Sequence, residues 1–102
     1  MEFKPGSRWR SAVGSAEFVV VRPPRTAGVL RSGGQNLLVI DAPVADGATL
    51  DPALADALAI GKRYTDSESG IELLVSKAGV GTLTFDDRTL VLKEAKQLPS
   101  SD

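Results

Sequence analysis

Runs of β-branched and aromatic residues recur along this chain, and each is closed by glycine or proline before it grows long. That punctuation constrains the fold more than any other feature, because it admits short pleated segments and little else. In "SRWRSAV", period-two spacing puts Trp9, Ser11 and Val13 on one face and Arg8, Arg10 and Ala12 on the other. Gly14-Ser15 is a turn-capable pair, and "AEFVVVR" has the enrichment of a strand. Residues 7–22 therefore read as two strands joined by a tight turn. Pro23-Pro24 stops the second, since neither proline can donate to a ladder.

"AGVLRSGGQNLLVID" predicts a second pair. Val29–Arg31 is its first strand, Ser32–Asn36 a turn whose Gly33-Gly34 tolerates positive φ, and Leu37–Asp41 the return strand. Residues 42–50 read as a loop. One short helix is expected at about 52–60, in "DPALADALAIG". Asp51 is a good N-cap, Pro52 fits the first helical position, Gly61 suits the closing left-handed residue, and Leu54, Ala57 and Leu58 share a face. "GKRYT" and "IELLVSK" then read as strands around a "DSESG" turn. "GTLTFDDRTLVLKEA" reads as a hairpin with Asp86-Asp87 at its tip. It pairs Phe85 with Arg88, Thr84 with Thr89, Leu83 with Leu90 and Thr82 with Val91. In that register Leu83, Phe85, Leu90 and Leu92 face the core, while Thr82, Thr84 and Thr89 face outward.

The expected fold is thus mainly β, a small antiparallel barrel or rolled sheet of about 6–8 short strands with one short helix. Residues 1–97 read as a single domain and 98–102 as a frayed tail. No repeat at solenoid spacing and no low-complexity segment stands out.

Cysteine and histidine are both absent. Disulfides, thiolate metal sites and cysteine nucleophiles are thereby excluded, as are a tetrahedral zinc site, a Ser-His-Asp triad and a histidine general base within one chain. No stretch approaches the roughly 20 apolar residues that span a bilayer. "MEFKPGSRWR" reads as a mature cytoplasmic start without a lipidation motif. The formal net charge of −1 conceals an asymmetry: residues 1–31 carry Lys4, Arg8, Arg10, Arg22, Arg25 and Arg31 against Glu2 and Glu17, and the acidic excess lies beyond them.

Taken together, "KPGSRWRS", "LRSGG", "GKRYTD", "SKAGVGTL" and "LKEAKQLPSSD" resemble a group of small, uncharacterised β-rich proteins of actinobacterial type. Some members of that group carry cysteines near the positions of Gly14, Ser32 and Val75, which implies a small metal-binding β-fold of the knuckle type. This chain departs from the pattern at all three positions. The resemblance therefore implies a metal-free relative, and no ligand assignment carries over.

The motifs have competing readings. Basic residues interleaved with Trp9 and Phe18 suit a nucleic-acid groove, yet alternation makes Trp9 a core residue and the arginines a solvated face, so nucleic acid is not the expected partner. Arg8, Arg10 and Arg22 can align across antiparallel strands as a clamp for carboxylate or phosphate, or pair internally with Glu17 and the acidic half. Gly33-Gly34 and Gly79–Gly81 lack the context of a phosphate-binding loop and read as turn glycines. Asp86-Asp87 reads as turn chemistry rather than paired catalytic carboxylates or a calcium loop. Lys62, Arg63 and Tyr64 form a helix-to-strand junction more naturally than a catalytic cluster, with Tyr64 half-buried.

The functional expectation is a non-catalytic β-protein acting as an accessory subunit or protein-interaction module, without cofactor, metal or membrane. It meets a protein partner or a second copy through Arg8, Arg10 and Arg22, with Trp9 and Tyr64 nearby. Two alternatives stand beside it. One is a small-molecule or anion-binding barrel with a pocket lined by Trp9, Tyr64 and Phe85, and the other is the metal-free relative described above.

Overall fold

The computed structural model describes residues 3–43 and 49–93. Strands β1 (Arg8–Arg10), β2 (Glu17–Arg22), β3 (Leu30–Ser32), β4 (Gln35–Asn36) and β5 (Leu38–Val39) occupy the first half. Strands β6 (Ala57–Leu58), β7 (Arg63–Thr65), β8 (Glu72–Lys77), β9 (Gly79–Val80), β10 (Leu83–Phe85), β11 (Arg88–Thr89) and β12 (Val91–Lys93) occupy the second. The molecule is mainly β, as expected, but the strands are shorter and more numerous among the described residues. They form an open six-stranded antiparallel sheet in the order β12-β7-β8-β2-β1-β5, a four-stranded sheet in the order β11-β10-β3-β4, and the pair β6-β9. None of these closes into a barrel.

Both larger sheets read the same from either end once the halves are exchanged: β1 for β7, β2 for β8, β3 for β10, β4 for β11 and β5 for β12. The sequence carries the same repeat, with "EFVVVR" matching "ELLVSK" and "RWR" matching "RYT". Backbone hydrogen bonds repeat too. Gly6 N–H donates to Val20 O as Gly61 N–H donates to Val75 O, and Leu37 N–H to Leu30 O as Leu90 N–H to Leu83 O. Gly6 and Gly61 even share a left-handed φ, +82° and +84°. The fold is a tandem duplication, two copies related by a pseudo-twofold axis, as in an isologous dimer whose subunits have been joined.

That axis runs through the antiparallel pair β2–β8, where Val19 faces Leu74. On either side the register is reciprocal: Phe18 with Val75 and Val20 with Leu73, then Glu17 with Lys77 and Arg22 with Glu72. Register shifts at Val21 and at Ser76, equivalent positions in the two copies, bend both strands alike. Trp9 lies opposite Phe18, as alternation requires, and with Val20, Leu73 and Val75 joins Leu30, Leu83 and Phe85 of the smaller sheet in one core. Each fully buried aliphatic or aromatic side chain there contributes roughly 1.5–3 kcal/mol.

Leu37 and Leu90 are buried pivots at which the chain leaves the four-stranded sheet for an edge of the six-stranded one. At the first pivot the expected turn Ser32–Asn36 and return strand Leu37–Asp41 are redrawn: Gln35–Asn36 already pairs with β3, and the strand after Leu37 is only Leu38–Val39, paired with β1. The second ends the expected hairpin early. Its tip is as read, Phe85 with Arg88 and Thr84 with Thr89, but Val91 pairs with Thr65 rather than Thr82. Leu92 is consequently 44% exposed on an edge strand instead of in the core. Thr82 and Thr84, expected outward, are buried. Thr82 is covered by the segment before β6, whose Asp56 N–H donates to its Oγ1, and Thr84 is flanked by Arg31 and Thr89.

The expected helix over about 52–60 shrinks to one 3-10 turn, Pro52–Leu54. Its start is as read, with Asp51 Oδ1 accepting from Ala53 N–H at 2.9 Å. Beyond it, the backbone bonds outward instead of to itself. Thr82 N–H donates to Leu54 O, Gly81 N–H to Asp56 O, and Ala57–Leu58 pairs with Gly79–Val80. The C-terminal tail expected to fray, 98–102, and residues 44–48 of the expected loop lie outside the described residues.

Gly79 allows the closest backbone approach at this point, for a Cβ there would sit 2.5 Å from Ala16 N and 2.8 Å from its Cβ. Gly79→Ala is expected to destabilise the fold by about 1–3 kcal/mol, measurable as a lowered urea midpoint with unchanged m-value.

Candidate functional site

Because Trp9 and Phe18 point into the core, Arg8, Arg10, Glu17 and Val19 share the outer face of the six-stranded sheet. Arg22 joins them beyond the Val21 bulge, opposite Glu72. The register thus brings the three expected arginines onto one sheet face. The same face carries Arg63 and Lys93, which flank one another on β7 and β12, and Leu74 and Leu38 half-buried beneath the long side chains.

The two copies neutralise this face unequally. Glu72, its side chain only 3% exposed, accepts from Lys93 Nζ at 2.8 Å and lies 3.7 Å from Arg63 Nη1. Glu17 lies 3.8 Å from Lys77 Nζ. Arg63 and Lys77, the second-copy equivalents of Arg8 and Arg22, are therefore engaged. Arg8 and Arg22 make no ion pair or side-chain hydrogen bond among the described residues, and Arg10 reaches only the Ala42 carbonyl, at 3.4 Å. The internal pairing of Arg22 with the acidic half, weighed from sequence, is pre-empted because Lys93 and Arg63 occupy Glu72.

Trp9 and Tyr64, also expected at the site, lie on the core side of the sheet. Trp9 is 3% exposed, donates Nε1–H to Ser7 Oγ at 3.0 Å, and holds the Phe3 ring 4.6 Å away. Tyr64 is half-buried against the core. Phe85 is fully buried, so Trp9 and Phe85 are packing residues where a pocket lining was expected. Of the positions where the resemblance would place cysteines, Gly14 lies in the β1–β2 turn, Ser32 on β3 and Val75 in the core.

A second charged cluster went unread in the sequence. Asp66, 6% exposed, closes the β7–β8 turn by accepting from Ser69 Oγ at 2.7 Å and Ser69 N–H at 3.1 Å. Arg88 donates to both of its carboxylate oxygens, at 3.3 and 2.9 Å. Arg88 also meets Glu68 at 3.1 Å and Asp86 at 4.0 Å. The Arg88 hydrogen bonds, assisted by those of Ser69, hold the Asp66 carboxyl down at about 2 against the opposing effect of burial. A carboxylate so fully engaged ties the β10–β11 tip to the β7–β8 turn. It is a structural clamp rather than a general acid or base.

Comparison with known protein families, characterised proteins and solved structures gave no match. No helix among the described residues is long and apolar enough to cross a membrane.

The clamp has a pH signature. Ionised Asp66 contributes its full stabilisation above its ordinary value of 3.8, and that contribution is lost as pH falls towards about 2. Asp66→Asn is expected to lower stability at pH 7 by about 1.5–3 kcal/mol, the worth of a hydrogen bond to a charged group. The gap between variant and parent closes as urea titrations descend through that acid range.

Proposed function

We propose that this protein is a non-catalytic interaction module, an accessory subunit whose contact surface is the basic face of the six-stranded sheet. The observation that carries this reading is the unequal neutralisation of two otherwise equivalent copies. Arg63 and Lys77 are held by Glu72 and Glu17, whereas Arg8, Arg10 and Arg22 have no carboxylate partner among the described residues. Guanidiniums fixed at neighbouring strand positions are pre-organised for bidentate contact with carboxylates. Their charge also steers an acidic partner toward the face. Half-buried Val19, Leu74 and Leu38 between them supply apolar area for such a contact.

Affinity purification of the tagged protein at native expression level, with mass and stoichiometry of what accompanies it, tests this. The parent should retain a partner that the double variant Arg8→Glu, Arg10→Glu loses, with affinity lowered about tenfold or more and an unchanged circular dichroism spectrum. Equal recovery by both proteins would refute the placement.

A further inference from the structure

The basic face is built around the pseudo-axis, and the strand register orders it. Its central row runs Lys93, Arg63, Leu74, Val19, Arg8 across five adjacent strands, with Leu74 and Val19 half-buried on the axis itself. On one side of that row Glu72 lies opposite Arg22, and on the other Glu17 lies between Arg10 and Lys77. Neighbouring strands stand about 4.8 Å apart, so Arg63 and Arg8 flank the apolar pair at a separation of about 14 Å. Apolar contact area thus occupies the centre of the face, with a guanidinium to either side.

Symmetry of this kind suits an isologous contact between two copies, but charge forbids that occupant. Among the described residues the face carries Arg8, Arg10, Arg22, Arg63, Lys77 and Lys93 against Glu17 and Glu72. Both carboxylates are already taken up within it, by Lys77 and by Arg63 with Lys93. Two such faces laid together would set cation against cation, and like charges juxtaposed across an interface reject the partner. Nucleic acid fits no better. The aromatic residues of these strands, Trp9, Phe18 and Tyr64, lie on the core side, so a base has nothing to stack on, and phosphates would rest on Val19 and Leu74.

We propose that this face takes a segment of a different protein in which an apolar pair is flanked by carboxylates on both sides. The apolar pair covers Val19 and Leu74 on the axis. The carboxylates meet Arg8 and Arg10 on one side of it, and Arg63 and Lys93 on the other. The cations select acidic sequence and speed encounter, and the apolar centre fixes which part of that sequence is held. This inference rests on the basic face being the contact surface, and adds what a partner must present there.

The test is an amide-resolved NMR titration of the ¹⁵N-labelled full chain with two synthetic peptides of equal charge, EEELLEEE and EEESSEEE. The first should give saturable shifts centred on Val19 and Leu74 and bind about tenfold or more tightly than the second. The double variant Val19→Thr, Leu74→Thr, which places β-branched residues in both strands, should bind the two peptides equally. Absence of saturable shifts at millimolar peptide, equal affinity of the parent for both peptides, or shifts that bypass Val19 and Leu74 would overturn the proposal and leave the basic contact surface standing. An Arg8→Glu, Arg10→Glu variant that binds EEELLEEE as the parent does would overturn that surface itself. Tighter binding of octathymidylate would assign the face to nucleic acid, and self-association of the parent that Arg8→Glu with Arg10→Glu abolishes would assign it to a second copy. Either result overturns the proposal.

Discussion

The antiparallel pairing of β2 with β8 is the constraint on which the rest of the molecule depends. It joins the two copies through their middles, with Val19 against Leu74 on the pseudo-axis and each copy's glutamate opposite the other's basic residue. A one-residue slip would turn Phe18, Val20, Leu73 and Val75 out of the core together, so the hydrophobic pattern and the charge ladder enforce one register. The two strands are far apart in the chain, and closing them costs loop entropy before any gain is collected. All the remaining strands of both larger sheets then fall into place reciprocally on either side.

Much of this was legible in residue pattern. Alternation around Trp9 identified a buried aromatic flanked by exposed arginines. Asp86-Asp87 marked a hairpin tip with the observed register, whereas the turn read over Ser32–Asn36 tightens to Gly33-Gly34 because Gln35–Asn36 pairs with β3. What failed shares one cause, that long-range pairing overrode local preference. The cap at Asp51 and proline at Pro52 start a helical turn correctly, but Leu54 and Asp56 then find better partners in Thr82 and Gly81 than in their own segment. Likewise, nothing local to "RTLVLK" shows that Leu90 is a pivot into another sheet. The duplication itself was readable, since "EFVVVR" and "ELLVSK" share acid, apolar triplet and base in order. Its period, close to half the chain, lies outside the spacings that mark solenoids.

The site was legible in part, and for a related reason. Sequence alternation placed Arg8 and Arg10 on one face, and only register could add Arg22. That Arg63, Lys93 and Glu72 belong to the same face follows from β7 and β12 lying beside β8, which no local signal reveals. Asp66 and Arg88 meet because the β10–β11 tip folds back on the β7–β8 turn. Duplication turns such details into comparisons. Where the copies agree, the residues serve the fold. Where one copy is neutralised and the other is not, as Arg63 and Lys77 are and Arg8 and Arg22 are not, the two halves have diverged.

The two hairpin tips show what such divergence does to a single backbone shape. Gly33-Gly34 and Asp86-Asp87 occupy equivalent positions, and all four residues take left-handed φ values between +51° and +89°. Glycine adopts that shape freely, whereas each aspartate bears an intrinsic penalty of about 1 kcal/mol. Near the second tip, Asp87 lies 3.3 Å from Arg31 and Asp86 is 4.0 Å from Arg88. One loop is thus kept by conformational freedom and its twin by charge attraction, the covered Arg88–Asp66 clamp and the exposed Arg31–Asp87 pair. Added electrolyte, which shields such attraction, loosens the aspartate loop while leaving the glycine loop as it was.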